Sequence, residues 1–143
     1  VAVVALGEDV LARRAGTLDE FPLSNPVLFD SNLKYLPAER ILAEVDKVLR
    51  RDPECWAALA YRARCLVKLA QERPDERAAL LEAALRSARE AVRLQQGDRD
   101  PWRALSEAAA AVGDEATAAR ARRKAEELRK AEKRRERPDQ ASG

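Results

Sequence analysis

Apolar and small residues recur along this chain at helical rather than strand spacing. Trp56-Ala-Ala-Leu59-Ala60-Tyr-Arg-Ala63 and Trp102-Arg-Ala-Leu105-Ser106-Glu-Ala-Ala109 share one pattern. In each, a Trp, a Leu, a small residue and an Ala stand at offsets of zero, three, four and seven, which fall along one stripe of an α-helix. The small residue at offset four admits a neighbouring helix closely, and the Trp and Leu fill the space beside it. Ala38, Leu42 and Val45 precede the first Trp in the register in which Ala84, Ala88 and Ala91 precede the second; Val45 to Trp56 and Ala91 to Trp102 are both steps of 11 residues. Gly113, Ala118 and Ala125 follow the second Trp helix at distances that suit a turn and an antiparallel helix. The pattern predicts helices over 38–51, 54–72, 76–96, 101–112 and 115–136. Asp52-Pro53 and Asp100-Pro101 each offer a capping Asp before a Pro suited to a first helical turn, and Gly97 and Gly113 suit helix ends.

In these residues, over about Pro37 to Leu128, the chain resembles the tetratricopeptide repeat family, whose helix pairs carry W-x-x-L-G-x-x-Y followed by small residues at three fixed places. The resemblance implies an all-α fold: antiparallel helix pairs stacked as a short right-handed solenoid. Two departures stand out. Ala60 and Ser106 replace the family's Gly, and the two Trp lie 46 residues apart where the family repeats at about 34. The added length falls between Leu69 and Ala79, around Pro74 and Asp75, and reads as a lengthened hairpin. The organisation expected is an N-terminal segment (1–37), a helical array (38–128) and a charged helix end with a tail (129–143).

Composition agrees with helices. Hydrophobic residues make up 46% of the 143 and charged residues 36%, with Ala, Leu, Arg and Glu prominent, all good helix formers. The N-terminal segment differs. Its apolar opening, Val1 to Leu6, reads as a degenerate opening helix, as the trimmed end of a membrane or signal segment, or as ordinary packing, and the sequence leaves all three open. Phe21-Pro-Leu-Ser-Asn-Pro-Val-Leu-Phe29 cannot form a regular helix, because its prolines remove donors and restrict their predecessors. An extended strap results. Its aromatics Phe21, Phe29 and Tyr35 either fill the open end of the array or dock it on a larger assembly, which includes a membrane complex if the chain is tethered there.

Charge is balanced overall but unevenly placed. The net charge is +2, yet residues 120–137 hold ten Lys or Arg against four Glu, while residues 1–119 hold 17 basic against 20 acidic. A solvated helix end explains the basic stretch. RNA contact through it is the minor reading, since no aromatic interleaves the cations to stack on bases.

Catalytic chemistry has little to build on. There is no His, which removes Ser-His and Cys-His arrangements and imidazole metal sites. The five Gly are isolated, so no phosphate loop forms. Asp98 and Asp100 read as helix caps. Cys55 and Cys65, ten residues apart on one helix, would stand about 15 Å apart, too far for a disulfide, and with no His they are too few for a zinc site. No cofactor, metal or small-molecule substrate is expected, and no enzymatic activity.

The family's first helices line a concave groove. Carried over by offset from each Trp, the resemblance implies a groove of Glu54, Ala57, Tyr61, Arg64 and Cys65 in one repeat and Asp100, Arg103, Glu107, Ala110 and Ala111 in the next. Tyr61, Arg64, Arg103 and Glu107 are the candidate partner contacts. Glu107 stands where the clamp that grips chaperone tails would want Asn, which argues against that ligand. The expectation is a non-catalytic interaction module, an adaptor or accessory subunit, either cytoplasmic or membrane-associated.

Overall fold

The computed structural model describes residues 34–136, and readings that concern residues 1–33 and 137–143 lie outside them. Five α-helices make up the described chain: α1 (Ala38–Arg51), α2 (Trp56–Glu72), α3 (Arg77–Leu94), α4 (Arg99–Ala111) and α5 (Glu115–Glu136), with a 3-10 turn at Pro74–Glu76 between α2 and α3. No strand occurs among the described residues. Two of the five helices, α1 and α5, have the limits that the sequence predicts; α2 differs by two residues at its start, and α3 and α4 by one or two residues at both ends.

The differences have local causes. Asp52 does not cap α2. Its Oδ1 accepts from the Glu54 amide at 3.2 Å and its carbonyl from the Cys55 amide at 3.1 Å, so Asp52-Pro53 closes a turn and the helix starts at Trp56. The cap of α4 is Asp98 rather than Asp100: Asp98 Oδ1 accepts from the Asp100 amide at 2.9 Å. Pro101 then sits third in the helix, inside the first turn, where its missing amide costs nothing. Gly97 lies beyond the end of α3, its amide donating to Gln95 Oε1 at 3.2 Å. Gly113 does end α4. With φ at +86°, it donates to the Ala110 carbonyl at 3.1 Å while Asp114 donates to Ala109 at 2.9 Å, the paired closure that favours glycine. Asp114 then caps α5, accepting from the Thr117 amide at 3.1 Å; hydrogen bonding from the Thr117 side chain first, and from its amide second, holds the Asp114 carboxyl below the ordinary range.

Packing runs from each helix to the next and between the two Trp helices: α2 lies against α1, α3 and α4, and α4 against α2, α3 and α5. Tight approach depends on alanine. Ala60 and Ala63 of α2, Ala88 and Ala91 of α3, Ala104 and Leu105 of α4 and Ala121 of α5 share one core cluster, edged by the half-buried Leu59 and Trp102. Ala84, Ala108 and Leu66 form a second cluster. Ala109 and Ala118 are fully buried, whereas Ala125 is only half-buried. A third cluster joins Ile41, Val45 and Val48 of α1 to Ala57, Tyr61 and Cys65 of α2, with Trp56 packed at its edge.

Polar ties cross the same contacts. Arg62 donates to Asp46 Oδ1 of α1 at 3.2 Å and to Ser87 Oγ of α3 at 2.8 Å, holding three helices together. Arg77 donates to the Ala111 carbonyl at 3.0 Å, at the end of α4. The Trp102 indole donates to the Gln96 carbonyl at 2.9 Å, which fixes the turn into α4.

Candidate functional site

The helix α2 has three working sides. Ala57, Tyr61 and Cys65, at i, i+4 and i+8, share the α1 cluster. Ala60 and Ala63 belong to the cluster shared with α3 and α4. The remaining side, along Arg64, Val67, Lys68 and Gln71, looks across at α4. There it meets Glu107, Ala110 and Ala111 around an open groove with a cavity volume of about 500 Å³. The spacing 64, 67, 68, 71 is one helical stripe, so Val67, Lys68 and Gln71 could have been found by extending from Arg64.

One ion pair crosses this groove. Arg64 Nε donates to Glu107 Oε2 at 2.6 Å, with the Arg64 side chain 13% exposed and that of Glu107 36%. Two of the residues expected to contact a partner therefore also contact each other and tie α2 to α4. Ala110 and Ala111 give the opposite wall little bulk, so the groove stays open beside that tie. Lys68 reaches the other way as well, its Nζ 3.5 Å from the Leu36 carbonyl.

Tyr61 does not line this groove. It is 2% exposed, among Ile41, Val45 and Val48, because α1 covers the side of α2 on which offset five from Trp56 falls. Ala57 and Cys65 are buried with it for the same reason. Arg103 is half-buried on α4 and outside the lining. In the strap, Phe21 and Phe29 lie outside the described residues. Tyr35 is 73% exposed, with Lys34 Nζ 5.4 Å from its ring centre, so it does not fill the end of the array. The half-buried Leu36 packs against the α1–α2 cluster instead. Among the described residues no helix is long and apolar enough to cross a membrane.

Asp100 stands half-buried at the start of α4, and its carboxyl is pushed up to about 6. Burial is the main cause and the neighbouring Asp98 the second; Arg99, Arg103 and Arg64 pull the other way. A carboxyl raised above its ordinary value of 3.8 favours the fold when protonated. That contribution is complete below about pH 4 and is lost as pH rises through about 6. Asp100→Asn is thus expected to stabilise the protein at pH 7 by about 2 kcal/mol, with the gain vanishing at pH 4. Melting temperatures of both proteins at the two pH values check it; equal gains at both would separate the effect from titration.

Both cysteines are buried free thiols. Burial pushes the Cys65 thiol up to about 12, against the opposing pull of Arg64 and Lys68, so almost no nucleophilic thiolate exists at neutral pH. A thiol reagent is expected to leave Cys65 unmodified in the native protein and to label two thiols per chain in denaturant. Rapid native labelling at Cys65, read by peptide mass spectrometry, would contradict that burial.

Against known proteins, the chain matches no family model, no curated protein and no solved structure.

Proposed function

We propose that the chain is a non-catalytic protein-interaction module of tetratricopeptide-like architecture, an adaptor or accessory subunit that holds a partner segment in the α2–α4 groove. Three things support the solenoid reading: the recurring Trp–Leu–small–Ala stripe, the lateral contact between the two Trp helices, and the α3 and α5 hairpin partners. The observation that carries the functional reading is the groove itself. Its cavity of about 500 Å³ brings together apolar side chains (Val67, Ala110, Ala111) and polar ones (Arg64, Lys68, Gln71, Glu107), the mixture expected of a site that orients a ligand through a few polar groups. A partner strand would rest apolar side chains between Val67 and the alanines and present polar groups to Lys68, Gln71 and the Arg64–Glu107 pair.

Gln71 and Ala110 are exposed, so both can be altered without disturbing the core. A photo-crosslinking residue at position 71 is expected to join the chain to a defined partner segment in the native source. Ala110→Trp, which fills the groove, is expected to abolish that crosslink while leaving the melting temperature within about 2 °C, as surface changes generally do. An unchanged crosslink pattern in Ala110→Trp would refute a groove partner.

A further inference from the structure

Helix α5 is, at 22 residues, the longest among the described residues, and commits little of its surface to the core: Ala118 and Ala121 are its only buried residues. It carries nine Lys or Arg against five Glu. Its buried side runs along Ala118, Ala121 and Leu128 toward α4, and Glu132 meets Arg99 of α4 at 3.7 Å. At 100° per residue the opposite side is the row Arg123, Lys130 and Arg134. All three are exposed. Among the described residues none of the three lies within ion-pair distance of a carboxylate, whereas Arg129 is engaged by Glu126 at 3.0 Å. The row spans about 16 Å along the axis, and Glu127 is the one carboxylate near its centre line.

We propose that this outward face of α5 binds the phosphate backbone of double-stranded nucleic acid, without reading base sequence. An exposed guanidinium and ammonium row suits an array of phosphates, which arginine can grip through two N–H groups at once. A duplex presents a charge about every 1.7 Å of its axis, so a straight row of cations finds partners in any register. The apolar side of α5 is already committed to α4, and the outward side has no large apolar group to enter a bilayer, which argues against a lipid surface. The helix contains no aromatic residue to stack on unpaired bases, and phosphate contacts from a row of cations carry no sequence information, so the contact expected is with the duplex backbone. This face is separate from the α2–α4 groove and the inference does not depend on it.

The test is fluorescence anisotropy of the full chain with a labelled 20-base-pair DNA duplex, alongside polyglutamate of matched charge and phosphatidylserine vesicles. If three phosphates are neutralised, affinity for the duplex is expected to fall about 40-fold between 50 and 200 mM salt. R123Q/K130Q/R134Q is expected to lose at least about tenfold in affinity at 50 mM salt and to flatten that salt dependence. R40Q/R50Q/R86Q, which removes equal charge from α1 and α3, is expected to retain binding. No duplex binding at 50 mM salt, equal losses in the two triple variants, or binding of polyglutamate or vesicles as tight as that of the duplex would each overturn the proposal. Circular dichroism of both variants keeps a folding defect from passing for either result.

Discussion

Tyr61→Ala is expected to lower the urea midpoint by about 2 M, the largest effect of any single substitution considered. Tyr61 is 2% exposed and packs with Ile41, Val45 and Val48 of α1 and with Ala57 and Cys65 of its own helix. Truncating a buried aromatic ring to a methyl group removes its burial energy and leaves a cavity, together costing about 3–5 kcal/mol. At a urea dependence of about 2 kcal/mol/M, the midpoint falls by the amount stated. The loss concentrates on one helix. Whereas α2 and α4 each pack on three others, α1 docks chiefly on α2, through the cluster that Tyr61 fills. Hydrogen exchange should therefore quicken most at the amides of α1 and least across α3 and α4. Tyr61→Phe keeps the ring and should cost no more than about 1.5 kcal/mol. A Tyr61→Ala protein with the wild-type midpoint, or with uniform exchange along the chain, would show that the ring does not hold α1 in place.

The same residue marks where sequence reading stops. Helical periodicity made the five helices legible because it depends only on which residues must be buried. Of the positions in the Trp–Leu–small–Ala stripe, Ala60, Ala63, Leu105 and Ala109 are buried and Leu59 packs at a cluster edge; Gly113, beyond the stripe, ends α4. The small residues before and after the second Trp helix, Ala84, Ala91 and Ala118, are buried. Which side of α2 stays open was not legible. Offsets from Trp56 fix angular position around the helix, but exposure depends on where α1 lies, and that is a long-range property. So Arg64 and Glu107 reached the groove while Tyr61 went to the core. Two short-range details were also ambiguous in sequence. Asp98 and Asp100 are equally suited to cap α4, and the choice turns on which carboxylate meets a free amide. Arg62, three residues after Leu59, looks like surface charge until α1 and α3 bring Asp46 and Ser87 to it.

Ala63→Leu should be damaging as well, by about half as much as loss of the Tyr61 ring, and for the opposite physical reason. Ala63 is fully buried, in the cluster to which α2, α3, α4 and α5 all contribute and in which alanine predominates. A methyl group there sets the distance at which α3 and α4 can approach α2. At a position 0% exposed, three added carbon atoms force the helices to separate or the side chain to leave its staggered rotamers, at a cost of about 1–3 kcal/mol. Separation propagates, since the Arg64–Glu107 pair at 2.6 Å bridges the same two helices one residue further on. The expected result is a urea midpoint lower by about 1 M or more, with accelerated hydrogen exchange in α2, α3 and α4 together and comparatively little change in α1. Ala63→Gly controls for helix propensity, costing about 1 kcal/mol through backbone entropy without forcing the helices apart. If Ala63→Leu is tolerated as well as Ala63→Gly, the helices do not meet as closely as the alanine cluster requires. The groove between α2 and α4, whose width the same crossing sets, would then lose its structural basis too.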